Sequence, residues 1–293
     1  MAPRMLGMAT QQVNLLVITV IASTLASGSL AIFNLANNLQ SLPISIFGVS
    51  LAIAVFPVFS QTLAMEDKSG FVAAFSLHFR RIIFLIIPVS IMFLLLRAQI
   101  VRVVLGSGQF DWSDTYFTAQ TLGWFVVSLF AQSLIPMLAR TFYALEDTKT
   151  PVLISILAII LNIIGSLFLG PLLGVEGLAL AFSAAAIFQL LVLIVVLKLR
   201  VGYLDDKKII WSTFKISANS LLSGAVVYWL LRVMAGLVDM RTFWGIFTQG
   251  LVAGIVGIIF YLAISLFTNC QEINILKSWL KKYLRPIFTN SRE

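Results

Sequence analysis

From residue 29 to residue 62 the chain runs for 34 residues without a charge. As one helix this stretch would reach about 50 Å, against a hydrocarbon core of about 30 Å. Its first half is not plain apolar filler. Asn34, Asn37, Asn38 and Ser41 recur at the i, i+3, i+4, i+7 positions of one helical face. Pro43 then interrupts the hydrogen-bond ladder, which predicts a bend. A polar stripe inside a membrane span is costly unless it meets other helices or a wet cavity. Two readings stay open at this point: the stripe lines a path for something polar, or it glues helices together.

The same pattern of long apolar runs, bounded by charges or Gly/Pro, continues along the chain. It predicts about eight spans: 5–27, 29–62, 82–96, 115–139, 151–170, 175–197, 211–236 and 243–268. Ser27, Gly28 and Ser29 predict a tight turn, and residues 71–81 an amphipathic lead-in. Residues 97–112 read as a loop with a Gly-Ser-Gly turn at 106–108. That turn lacks the lysine and spacing of a phosphate-binding loop. Gly250 and Gly254 have a small-xxx-small spacing that permits close helix approach. The segment 271–288 reads as an amphipathic tail on the membrane surface, with Lys277, Lys281 and Arg285 on one face.

Composition agrees with an all-α, polytopic transmembrane helix bundle. Hydrophobic residues make up 60 % and charged residues 11 % of the chain, where a soluble domain carries about 25 % charged residues. The apolar runs are too long and continuous for a β-barrel. The net charge of +8 does not point to nucleic acid, because the basic residues cluster at the ends of apolar runs. With eight spans, 16 of the 20 lysines and arginines share one side with both ends of the chain, and Arg97, Arg102, Arg232 and Arg241 lie on the other. The positive-inside rule then places both termini in the cytoplasm, in a multi-pass protein of the cytoplasmic membrane. No cleavable signal peptide is expected, since the first run has only Arg4 before it and no small-residue cleavage site.

Candidate chemistry is sparse. Cys270 stands alone, so neither an internal disulfide nor a cysteine zinc site is expected. His78 reads as an interfacial histidine beside Arg80 and Arg81. Asp205 and Asp206 could suggest magnesium in a lipid-phosphate enzyme, but no further carboxylates face them from other runs, and a solvated loop is the preferred reading. Asn162 is the one strongly polar residue of its run and reads as a packing residue. No catalytic residues, metal or cofactor are expected.

Several segments together resemble the MurJ/MviN family of lipid II flippases. PRMLGMATQQVNLLV resembles the opening of the family's seventh helix, and NLANNLQSLPISIFGVSLAIAVFPVFS its eighth, with an LP…FG…A…PxxS pattern. GSGQFDWSDT resembles a G-x-F-x-x-x-D loop, and GVEGLALAFS the start of the twelfth helix. RTFYALEDTKTP, close to R-x-FYA-x-x-DT-x-TP, is the most specific match. The resemblance is good over about residues 3–200 and thin beyond.

This resemblance implies a chain that supplies helices seven to fourteen of fourteen. Residues 1–200 would form a six-helix C-terminal lobe, 201–268 two additional helices and 269–293 an amphipathic cytoplasmic tail. Such a chain would come from a truncation, a split gene or a misplaced start, and would pair with a separate N-terminal lobe. The implied function is alternating-access export of the lipid-linked peptidoglycan precursor for cell-wall synthesis, with the polyprenyl tail kept near lipid along the last two spans. The substrate-cavity residues expected on this basis are Gln11, Asn14, Asn34, Asn37, Asn38 and Ser41. The family's eighth helix reads A-D-R-L-x-E-x-P, with an arginine that receives the lipid's pyrophosphate. Here Asn38 stands at the arginine and Asn37 at the aspartate, and an amide donates hydrogen bonds without charge. The alternatives are an exporter of another lipid-linked oligosaccharide, a membrane-embedded lipid-phosphate enzyme, and a fragment that does not transport unaided. The absence of any nucleotide-binding motif points to membrane potential or an ion gradient as the energy source.

Overall fold

The computed structural model describes residues 2–106, 111–240 and 242–273, with side chains from residue 12 onward except at 13. Eleven α-helices occur among these residues. They are α1 (Ala2–Ser23), α2 (Ser29–Pro43), α3 (Ser50–Ala64), α4 (Lys68–Leu95), α5 (Arg97–Leu105), α6 (Trp112–Val126), α7 (Leu129–Ala144), α8 (Lys149–Leu173), α9 (Val175–Val201), α10 (Asp206–Ala235) and α11 (Phe243–Phe267). A π-helical turn, Ile44–Val49, joins α2 to α3, and a 3₁₀ turn, Gln271–Ile273, follows α11.

Local chemistry starts and stops these helices. Asp67 accepts from the Gly70 N–H at the start of α4, and Thr242 from the Gly245 N–H at the start of α11. Asp111 and Asp114 form a reciprocal capping box at α6. Gly28 takes φ 88° in the expected turn before α2, a left-handed conformation that a Cβ would strain.

Six helices are long and apolar enough to cross a membrane, and the pair α6–α7, bent by 46°, makes a seventh. The remaining one of the expected eight is α1, with 22 residues. The structure departs from the sequence reading at several places. Residues 71–81 and 82–96 form the single helix α4 rather than an amphipathic lead-in and a separate span. Residues 97–105, expected as loop, form α5. The expected span 115–139 is broken at Val127 and Ser128. Pro43 leaves a π turn within one 36-residue span, Ser29–Ala64. Most of the Gly-Ser-Gly turn and of the amphipathic tail lies outside the described residues.

The loop at 205–206 also differs. Asp205 is buried, not solvated. It accepts from Ser76 Oγ at 3.1 Å and Tyr203 Oη at 3.0 Å, and pairs with Lys208 at 3.3 Å. Asp206 pairs with Lys198 at 2.7 Å. Asp205 thus ties the α9–α10 connection to α4, and Asp206 ties the start of α10 to the end of α9. His78 donates through Nδ1 to the Ala74 carbonyl and meets the Phe59 ring edge-on.

An aromatic core fills the bundle. Phe59, Phe71, Phe75, Phe84 and Phe142 are buried between α3, α4 and α7. A second cluster, with Phe33, Leu122, Phe125 and Leu178, joins α2, α6 and α9. α10 lies along α4, and α11 packs against α10 and α5. The Gly250/Gly254 face meets Gln99 and Leu96, while the closest approach to α10 falls at Gly257. A Cβ there would come within 2.4 Å of Val227.

Candidate functional site

The outward face of α2 and the π turn is mixed. Asn34, Asn38 and Ser41 on α2 and Ser45 on the turn are exposed, one helical turn apart, beside the exposed Leu42 and Ile46, while Phe33, Ala36 and Leu39 are buried behind them. From Asn34 to Ser45 the stripe rises about 16 Å. Ser41 Oγ donates back to the Asn38 carbonyl at 2.7 Å. Among the described residues the Asn34 and Asn38 amides have no hydrogen-bond partner.

The other long helices expose the opposite chemistry. On α8 the exposed large side chains include Leu153, Leu157, Ile160, Ile164, Leu167 and Phe168, and on α9 Leu191, Val195 and Leu199. Such faces suit acyl chains. Bare amides at the same depth do not, because a polar side chain in hydrocarbon is unfavourable without a partner. The exposed amides set the α2 face apart from these surfaces.

The expected cavity residues separate into three groups. Asn34, Asn38 and Ser41 share the open face. Asn37 is half-buried and accepts from Gln40 Nε2 at 2.9 Å. Asn14 is tied across to α8, accepting from Asn162 Nδ2 at 3.0 Å, and Ser166 Oγ lies 3.4 Å from the other end of that amide. Asn162 is thus a packing residue that holds α1. Gln11 lies where the side chains are outside the described residues.

Behind the stripe runs a polar relay that periodicity does not reveal. Gln132 Nε2 donates to Gln40 Oε1 and to Ser128 Oγ, both at 2.9 Å. Ser128 donates to Ser183 Oγ at 2.9 Å, and Ser183 to the Trp124 carbonyl at 2.7 Å. Gln40 is 1 % exposed. The relay crosses from α2 through the α6–α7 break to α9, so backbone freed by the break finds partners. Gln40 stands in the polar stretch of the sequence, but its partner is 92 residues away and no local pattern links them.

On another side of the bundle α4, α6, α7, α9 and α10 enclose an apolar groove of about 690 Å³, lined by Phe79, Ile83, Leu94, Phe130, Ile194 and Phe214 among others. Among the described residues no group of three or more His, Cys, Asp or Glu is placed to hold a metal ion.

A family model described as Lipid II flippase MurJ matches residues 1–248. The chain belongs to the MurJ family. A MurJ relative from Vibrio cholerae, named a probable lipid II flippase, is 30 % identical over 275 residues, covering 92 % of this chain and 51 % of the relative. One from Thermotoga maritima with the same name is 33 % identical over 227 residues, covering 77 % and 45 %. A solved structure of lipid II flippase MurJ in an inward closed conformation superposes with a TM-score of 0.75 at 26 % identity, over 90 % of this chain and 52 % of that one. An outward-facing MATE family transporter of the MOP superfamily shares the fold, with a TM-score of 0.59 at 20 % identity over 89 % of this chain and 60 % of the transporter. The chain spans about half the length of the curated MurJ relatives it matches.

Proposed function

We propose that this chain is the C-terminal part of a flippase that moves the lipid-linked peptidoglycan precursor across the cytoplasmic membrane by alternating access. Residues 1–200 form the lobe, 201–268 the two added helices and 269–293 the tail, with both termini cytoplasmic. A separate N-terminal lobe faces α2. The observation that carries this reading is the exposed polar stripe Asn34, Asn38, Ser41 and Ser45, beside Leu42 and Ile46, in a bundle whose α8 and α9 faces expose leucine, isoleucine, valine and phenylalanine. Its amides hydrogen-bond the sugar, peptide or phosphate of the headgroup as it crosses. The groove of about 690 Å³ supports the complementary half of the reading, a prenyl tail that never leaves apolar surroundings. Its walls involve α10 with α4, α7 and α9 rather than the last two helices as a pair. Transport, not catalysis, is the task.

A second reading has one observation in its favour. Asn38 offers no charge where the family's arginine receives pyrophosphate, which suits a lipid-linked oligosaccharide whose recognition leans on sugar hydroxyls.

Complementation separates the two. The chain is expressed with a matching six-helix N-terminal lobe in cells depleted of their own lipid II flippase. The pair is expected to restore growth, and Asn34→Ala with Asn38→Ala to abolish the rescue while both chains stay in the membrane. Failure of a stably inserted wild-type pair would favour the second reading. Full rescue by the doubly substituted pair would remove the stripe from the path.

A further inference from the structure

At one end of the bundle three cations converge on a cavity that the transport path does not use. Arg80 from α4, Lys208 and Lys215 from α10, and residues 269–272 beyond α11 enclose about 210 Å³, with Trp211 on the rim. Arg80 is buried and pairs through Nη1 with Glu272 Oε1 at 2.5 Å. Ser212 Oγ donates to that same oxygen at 2.9 Å. Lys208 pairs with Asp205. Lys215 is different. Its half-buried ammonium donates to a neutral acceptor, the Thr268 carbonyl, at 3.2 Å, and lies 5.6 Å from the Trp211 ring centre. No carboxylate among the described residues pairs with it. Counting Glu272 and Asp205 against the three cations leaves a surplus of one positive charge. A half-buried cation without a carboxylate partner favours an anion beside it.

The depth of the cavity points to a source for that anion. α11 ends at Phe267, and the apolar run of α4 begins at residue 82, just past Arg80. Trp211 and Phe214, stacked with ring centres 6.0 Å apart, are 61 % and 65 % exposed at the same level. Exposed aromatics flanked by lysine and arginine mark the height of lipid headgroups.

We propose that this cavity binds a phosphate-type anion, a phosphodiester or phosphomonoester, between Lys215, Lys208 and the outer edge of the Arg80 guanidinium. An acidic phospholipid headgroup or free phosphate would both satisfy it. The site is separate from the α2 stripe, and its test does not depend on transport.

The test uses the full chain in nanodiscs of phosphatidylcholine with or without phosphatidylglycerol. Native mass spectrometry counts retained lipid, and thermal unfolding in phosphatidylcholine alone reports stabilisation by inorganic phosphate. Phosphatidylglycerol is expected to be retained preferentially, and Lys208→Gln with Lys215→Gln to lower its affinity about fivefold per lysine removed. Lys215→Arg keeps the charge and should keep the binding. If the double variant unfolds, Lys215→Gln alone serves. Lys68→Gln removes a charge elsewhere and should change nothing. Phosphate stabilisation lost with the same variants, without lipid preference, would identify free phosphate as the ligand. Equal loss in Lys68→Gln, or wild-type lipid retention with no variant-dependent phosphate effect in the double variant, would overturn the site.

Discussion

An asparagine at position 38 brings two donors and one acceptor, where an arginine brings five donors and a charge. Both side chains are compatible with a helix, so α2 folds with either. The buried relay behind it is the structural counterpart. In Gln40→Leu one Gln132 N–H and the Asn37 carbonyl each lose a partner, at a cost of about 1–3 kcal/mol for an unsatisfied buried group. Gln40→Leu and Gln132→Leu are each expected to lower the thermal unfolding temperature in detergent, and the double variant to lower it by less than the sum. Strict additivity would show that the two glutamines do not act on each other. The stripe itself was legible in the sequence, because asparagines spaced by three and four residues need only helical geometry to share a face. That Asn14 turns to Asn162, and Asn37 to Gln40, was not. Those outcomes depend on which neighbour lies within 3 Å.

At the scale of elements, runs without charge located most of the long helices but cut α4 short at Arg80 and Arg81, and breaks inside the runs were harder to see. α5 follows α4 after one residue and carries Arg97 and Arg102, so polarity disguised it as loop. The bend between α6 and α7 has no proline at its apex. It rests on Ser128 and the relay, which are tertiary causes. The segment RTFYALEDTKTP shows what its aspartate does. Asp147 Oδ1 accepts from the Lys149 and Thr150 N–H groups, and Oδ2 pairs with Arg200 at 2.7 Å, joining the start of α8 to the end of α9. Burial alone would raise its carboxyl. The bonds from Thr150 and Lys149 and the Arg200 guanidinium hold it below the usual carboxylate value. A depressed carboxyl contributes stability that is present above its unfolded value of about 3.9 and is lost as pH falls through the folded one. The unfolding temperature is therefore expected to drop below about pH 4, and Asp147→Asn to be less stable at neutral pH with a shallower acid drop. An identical acid profile in both would detach the helix junction from Asp147.

For the whole molecule, exposed side chains differ between faces: α8 and α9 expose large apolar residues, and α2 exposes asparagines and serine. Bonds from Asp147 to Arg200, Asp205 to Ser76, Lys215 to Thr268 and Arg80 to Glu272 gather the basic connections at one end of the bundle. The sequence placed these groups on one side by charge alone. What charge and periodicity could not give is the packing of α10 along α4, which closes the apolar groove, since lipid-facing and groove-facing leucines look alike. The chain matches about half the length of its relatives.

Cysteine accessibility shows whether the α2 stripe lines a wet path. In a Cys270→Ser background, Asn34→Cys, Asn38→Cys and Ser41→Cys are compared with Leu157→Cys and Ile164→Cys on α8. The chain is co-expressed with a matching six-helix N-terminal lobe and treated with a charged maleimide. The α2 positions are expected to react and the α8 positions to stay unmodified. Equal protection of both sets would contradict a water-filled path along α2.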